Sequence, residues 1–394
     1  MNKQKGIPEL RFPDFVHKGE WELRKLGESE VSIIVNEKVP ISRLSVDSYI
    51  STENILSDFS GITKASKLPQ SENLTRFTKN DILVSNIRPY LKKVWKAEFN
   101  GAASNDVIVF RVGSEVEKGF LEFLLKNEAF IHYVMKSAKG VKMPRGDKSS
   151  MQEYPVMIPP RAEQQKIAAC LSTLDELITA HEEKLQTLKD HKKGLMQNLF
   201  PQEGEKVPRY RFKEFEKDGE WVEKTIHQIA KVTTGSKDTQ NKVDGGKYPF
   251  FVRSQTVERI NSYSFDGEAI LTSGDGVGVG KNFHYINGKF DFHQRVYCIY
   301  DFADEVCGKF IFMYFSQHFN ERVMKMSAKN SVDSVRMSMI TEMPISLPSK
   351  KEQQKIASCL SAIDDLITSQ ADKIEQLKLH KKGLMQGLFP KIRH

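Results

Sequence analysis

Two stretches of the chain carry the same apolar rhythm. Ile167, Leu171, Leu174, Ile178, Leu185, Leu188, Leu195 and Leu199 follow the alternating four-and-three spacing of a heptad, and so do Ile356, Leu360, Ile363, Ile367, Ile374, Leu377, Leu384 and Leu388. A heptad stripe predicts a long helix that needs a partner helix along its seam. Both stretches run into Phe-Pro, at Phe200-Pro201 and Phe389-Pro390, where proline should stop a helix. Ser349 with Glu352 predicts a capping box before the second helix, and Pro159 and Pro160 precede the first. The seams are interrupted by His181 and Lys192 in one copy and by Gln370 and Lys381 in the other. His181 and Gln370 read as register-setting positions, the lysines as a frayed end, and Cys170 and Cys359 as small core residues beside the stripe.

The pattern repeats in sequence as well as in period. Glu163 to Pro201 recurs from Glu352 to Pro390 with about two thirds of its positions identical. A weaker repeat relates Pro8, Arg11, Phe12, Phe15, Gly19, Glu20 and Trp21 to Pro208, Arg211, Phe212, Phe215, Gly219, Glu220 and Trp221. Between these repeats the two halves share predicted strands at Asp81 to Ser85 and Ala269 to Ser273, and again at Val107 to Phe110 and Val296 to Tyr300. Predicted helices follow at Phe120 to Met135 and Phe310 to Met326, leading to Ser-Ala-Lys at Ser137 and Ser327. The expected fold is mixed α/β, a tandem in which two globular segments (1–162 and 203–351) alternate with long helices (163–202 and 352–394). The simplest packing is an antiparallel coiled coil of the two helices. The helices keep the chemistry of their outer faces as well as their seam, whereas the loops of the globular segments diverge.

Composition narrows the class only a little. The 394 residues carry a formal charge of +8, compatible with nucleic acid but also with many enzymes. Four cysteines without a C-x-x-C pair argue against a disulfide scaffold or a zinc finger and fit a reducing, cytoplasmic setting. No apolar run approaches the ~20 residues that span a bilayer, so no membrane partner is expected.

The motifs of common catalytic chemistry fail one by one. The glycine-rich run Ser273 to Asn282 lacks both the first glycine of a phosphate loop, where Asp275 stands, and the Ser or Thr after its lysine, where Asn282 stands. It reads either as a loop of close backbone approach or as a flexible hairpin. Pro159-Pro160 lacks the flanking residues with which an amino-methyltransferase would grip its target base. The ten histidines show no H-E-x-x-H spacing, and Pro13-Asp14 is followed by no nuclease partner. What remains are polar, basic and aromatic loops. The first half offers Arg88, Tyr90, Lys92 and Lys93, then Trp95 and Lys96, with Asn105-Asp106 leading into the next strand. The second half offers Lys281, Asn282, His284 and Tyr285, with His293-Gln294-Arg295 in the corresponding polar loop, and Arg253 and Gln255 as a third cluster. Arg145 and Arg336 suit contact with a phosphate backbone. Arginine suits guanine edges, Asn and Gln suit adenine edges, and lysine suits phosphate, but a solvated basic loop would present the same residue types.

The doubled Glu-Gln-Gln-Lys-Ile…Lys-Lys-Gly-Leu-Met-Gln-x-Leu-Phe-Pro helix, the repeated Arg-Phe-x-x-Phe…Gly-Glu-Trp segment and the loops at Ile87 to Tyr90 and Gly276 to Lys281 resemble the specificity (S) subunits of type I restriction-modification systems. The resemblance spans essentially the whole chain. It implies a non-catalytic double-stranded DNA reader, each half recognising one part of a split target, with the helices forming a spacer that docks two methyltransferase (M) subunits. It further implies that S-adenosylmethionine binds the M subunits, and that ATP and magnesium bind restriction (R) subunits, leaving this chain without a cofactor. Two other readings stay open: a coiled-coil protein scaffold without sequence readout, and a nuclease or fused methyltransferase.

Overall fold

The computed structural model describes residues 6–71, 73–326 and 334–391, so Ser327 of the second Ser-Ala-Lys lies outside the described residues. The chain divides into two units, 1–183 with 371–394, and 184–370. Each unit takes one globular segment, the first part of one long helix and the last part of the other.

In the first unit the strands Ser32–Ile34, Val107–Val112, Ile82–Ser85 and Val94–Lys96 form an antiparallel sheet in that order. In the second, Lys231–Thr234, Val296–Tyr300, Phe265–Ser273 and Phe283–Phe292 repeat the order, extended by Tyr248–Phe251 and Val257–Ile260 into six strands. The first unit instead breaks the counterpart of Phe283–Phe292 after Lys96. It places Gly101–Ala103 in a separate four-stranded sheet with Lys38–Pro40, Asn73–Phe77 and Tyr49–Ile50. A two-stranded ribbon completes each unit, Glu22–Lys25 with Pro155–Ile158 and Val222–Thr225 with Pro344–Leu347.

The long helices span Arg161–Asn198 and Lys350–Gly387. Within the first unit their segments run antiparallel, since Asp175 and Glu182 on the rising helix meet Lys381 and Lys378 on the falling one. In the second unit Lys192 meets Asp364 in the same way. These seam lysines are therefore cross-helix ion-pair partners rather than a frayed end, because the opposing stripe offers an aspartate at the matching level. Cys170 and Cys359 are half-buried rather than core residues. The apolar region after Phe120 forms two helices, Lys118–Leu125 and Glu128–Ser137, not one. Asn127 causes the break: its backbone is extended and its Oδ1 accepts the N–H of Ala129 at 2.9 Å, a cap that restarts the helix.

Aromatic plugs close each core. Phe200 packs on Phe310 and Trp221 in the second unit, while Phe389 packs on Phe120, itself against Trp21, in the first. Each Phe-Pro is thus a helix end driven into a globular core. The two ends are tied alike, Leu10 N–H to the Gly387 carbonyl and Tyr210 N–H to the Asn198 carbonyl.

The start of each long helix is clamped by the same buried groups. Arg11 donates Nε and Nη2 to the two carboxylate oxygens of Glu163, and Arg211 does so to Glu352, every contact at 2.8 Å. The next residue, Gln164 or Gln353, is also buried; its amide bridges the carbonyl before the helix and the loop at 115–117 or 305–307. Part of the repeated helix chemistry is accordingly internal, not a shared outer face. The expected capping box is half made: Ser349 Oγ receives the Glu352 N–H, but the glutamate side chain goes to Arg211. Among the described residues no helix is long and apolar enough to cross a membrane.

Candidate nucleic-acid interface

In each unit the strand that ends at Ser85 or Ser273 opens into a loop, and a second loop is hydrogen-bonded against it. In the first unit Arg88 N–H donates to Pro144 O and Gly146 N–H to Asn86 O, with an isolated bridge between Ile87 and Arg145. In the second, Val335 N–H donates to Gly274 O, and Asp275 bridges Ser334. The matching bonds make Gly146 and Val335 equivalent, so Arg145 corresponds to Ser334 and Asp147 to Arg336. Asp147 caps the helix Lys148–Gln152, whereas Arg336 stands at the N-cap of Met337–Thr341 with no side-chain cap and is exposed. One backbone scaffold therefore carries unlike side chains in the two halves.

The first cluster is centred on Arg88. Arg88 and Lys92 have positive φ, at 51° and 53°, and flank the single turn Pro89–Leu91. This turn leaves Arg88 and Tyr90 exposed but aims the lysines inward: Lys92 Nζ pairs with Glu128 at 2.8 Å and Lys93 Nζ donates to Thr52 O at 2.7 Å. Trp95 is a core residue packed on Phe77 and Phe99, and Lys96 pairs with Glu122. Asn105 is exposed and accepts from Lys38; Arg145 is exposed with Nη2 3.3 Å from Asp106. Exposed Lys139 and Lys142, on the Arg145 loop, join this face. No sequence motif marks either as a DNA contact, and only the hydrogen bonds between the loops bring them near Arg88.

The second cluster is built around a carboxylate. Asp275, at the neck of the glycine loop, receives Arg253 Nη1 on Oδ1 at 2.9 Å and Arg295 Nη1 on Oδ2 at 2.5 Å. Burial pushes the Asp275 carboxyl up, but its hydrogen bonds and charge pairing with the two arginines outweigh this and hold it below the usual carboxylate range. The backbones of all three residues are fixed. Gly274 N–H donates to Arg295 O, Arg295 N–H to buried His293 Nδ1, and Asn282 Nδ2 to Arg253 O and Ser273 Oγ. Asn282 is thus a strut rather than a free reading group. So is His284, whose half-buried ring lies on Phe251 with Nε2 3.1 Å from Ser254 O; burial lowers its pKa against a weaker lift from that carbonyl. Tyr285 likewise turns its hydroxyl to Glu268 at 2.5 Å. Gln255 and Lys281 are exposed, and Gln294 is exposed with Nε2 on Asp238.

The glycine run is a loop of close approach at its base. A Cβ on Gly274 would meet Arg295 O at 2.9 Å, and Gly276 and Gly280 hold φ of +78° and +67°. At the tip Val277 is 96% exposed, and on the first unit's paired loop Val141 is fully exposed and Met143 half exposed, so each half presents apolar side chains on an exposed loop. Exposed arginine forks, amides and apolar tips on pinned backbone are what base-edge contact needs, while the outlying lysines suit phosphate.

Known proteins resemble this chain in sequence and in fold. The sequence profile of the type I restriction modification DNA specificity domain matches residues 19–190 and 218–379. The chain is 24% identical over 423 aligned positions to the type I restriction enzyme MjaVIII specificity subunit of Methanocaldococcus jannaschii, covering 98% of this chain and 94% of that protein. It is 29% identical over 171 residues to the EcoDI specificity subunit of Escherichia coli, a match covering 43% of this chain but only 37% of that protein's length. In fold it resembles the crystal structure of the type I restriction-modification S subunit from M. genitalium, with a TM-score of 0.67, 16% identity, and coverage of 98% of this chain and 100% of that one. A chain from a structural study of complex assembly and conformational transition in the type I R-M system gives a TM-score of 0.58 at 17% identity, covering 93% and 97%. With both halves matched, the chain belongs to the family of type I restriction-modification DNA specificity proteins, carrying two recognition domains in tandem.

Proposed function

We propose that this chain is the non-catalytic DNA-reading subunit of a cytoplasmic type I restriction-modification complex, each half recognising one part of a bipartite duplex target. The observation that carries this reading is the common strand framework holding two paired-loop clusters of different chemistry, Arg88 with Arg145 in one and Arg253 with Arg295 in the other. A scaffold without sequence readout has no use for such divergence on an equivalent frame. The repeated helices dock methyltransferase subunits, which carry S-adenosylmethionine, and restriction subunits join with ATP and magnesium.

The test is a domain exchange. Replacing residues 203–349 with the equivalent segment of another specificity subunit, then mapping methylation in cells that also express the methyltransferase, should alter one half of the motif and leave the other intact. Alteration of both halves would overturn the modular reading. Methyl transfer by the purified chain alone would overturn the non-catalytic one.

A further inference from the structure

The unusual feature of the second cluster is that its two arginines share one carboxylate. An arginine that meets only phosphate needs no fixed plane, because a diffuse anionic backbone accepts it in many orientations. Pairing it with an aspartate beforehand reduces its net attraction for that backbone. Base-edge readout has the opposite requirement: the guanidinium must be held in plane and in register with two acceptors, guanine O6 and N7. Asp275 meets that requirement for Arg253 and Arg295 together, engaging one Nη of each while both side chains remain substantially exposed. The carboxylate is itself only 16% exposed, and the Gly274 N–H to Arg295 carbonyl bond fixes its place on the backbone.

We propose that Asp275 is the positioning residue of a two-arginine reader, and that the second half of the target carries guanine at the base pair or adjacent base pairs it faces. The inference rests on the DNA-reading function proposed above. Because both arginines are anchored on the two oxygens of one carboxylate, their engaged Nη atoms lie within about 8 Å of each other, between two and three base-pair rises of ~3.4 Å. They therefore serve neighbouring bases, not distant ones.

Replacing the carboxylate by its neutral isostere separates positioning from charge. Asp275→Asn adds one unit of net positive charge and sets an amide N–H against one of the arginines. Non-cognate binding should therefore tighten and steepen in salt by about one counterion, while discrimination against a G·C to A·T change in the second half-site falls by about tenfold or more. Arg295→Lys, which keeps the charge but not the fork, should lose discrimination at a guanine with non-cognate affinity retained.

The assay is equilibrium binding of the full chain, complexed with its methyltransferase partner, to duplexes carrying the mapped target. In a parallel set, 7-deazaguanine replaces single guanines and deletes only the N7 acceptor. The wild type should lose about tenfold at one or two second-half guanines, and Arg295→Lys, without the planar fork that spans O6 and N7 together, should lose several-fold less at its own guanine. The inference fails if no second-half guanine is sensitive, if Asp275→Asn keeps full discrimination, or if it weakens cognate and non-cognate binding equally. If the wild type does not prefer its target over scrambled duplex, it is the DNA-reading function itself that fails.

Discussion

The buried clamp at the start of the second long helix allows a prediction with a definite size. Arg211 spends Nε and Nη2 on Glu352 at 2.8 Å each and Nη1 on the Gly219 carbonyl at 2.6 Å; the two side chains are 7% and 1% exposed. Arg211→Ala deletes three charge-assisted hydrogen bonds and strands a carboxylate where water does not reach it. Breaking a buried pair from one side costs about 3 to 5 kcal/mol, whereas replacing both partners by apolar groups is often neutral. Arg211→Ala should accordingly destabilise the second unit by about 3 to 5 kcal/mol, a drop of ~1 to 3 M in urea midpoint. Arg211→Met with Glu352→Leu should recover most of the loss. The chain has three tryptophans, Trp21 and Trp95 in the first unit and Trp221 in the second. Labelling with 5-fluorotryptophan and following each 19F resonance through a urea titration reads the units separately. Arg211→Ala should act at Trp221, and Arg11→Ala, which breaks the first unit's copy of the clamp, at Trp21 and Trp95. A Trp221 shift below about 1 kcal/mol, or a double variant as unstable as the single, would refute the clamp.

How much of this could be read beforehand depended on how far apart in sequence the partners lie. The long helices were legible because a heptad stripe declares both the element and its need for a neighbour. The shared strands were legible as apolar runs bounded by polar loops. The roles of Glu163, Gln164, Glu352 and Gln353 were not: identity between the repeats looked like a common outer face, yet they are buried by Arg11 and Arg211, 152 and 141 residues away, and by loops 49 and 48 residues away. Arg88 and Lys92 sit four residues apart with alike side chains, and only the positive φ at both and the turn between them separate an exposed group from an inward one. Asp275 entered the sequence reading as the residue that spoiled a phosphate loop. Its arginine partners lie 22 and 20 residues away on different strand ends, so no local pattern could announce it.

The remaining predictions concern the seam and acid. Lys381→Met should cost the first unit less than about 1 kcal/mol, because the pair with Asp175 stays partly open to water and the methionine keeps the apolar stem; a larger loss at Trp21 and Trp95 would make it a structural lock. Acid should weaken the second unit selectively. Burial lowers the pKa of His284, His293 and His318, all within 184–370. His293 is pulled further down by Arg253 and Arg295, against Asp238 and Asp275, and His318 is opposed only by Glu321. A histidine with a depressed folded pKa gains its proton first in the unfolded chain. Stability is thus unaffected above the unfolded value of ~6.5 and falls as pH drops below it, by at most ~1.4 kcal/mol per pH unit for each ring. The first unit's shifted groups are carboxylates, arginines, lysines and tyrosines, which titrate outside pH 5 to 6.5. Between pH 7 and 5.5 the Trp221 urea midpoint should fall while those of Trp21 and Trp95 hold. The His318 ring lies 4.4 Å from that of Tyr314, and its Nε2 is buried without a hydrogen-bond partner among the described residues, so His318→Phe keeps a ring there without the proton. It should remove up to a third of the Trp221 pH slope. An unchanged slope in that variant, or a Trp221 midpoint flat across this range, would show that histidine burial does not govern the acid limb.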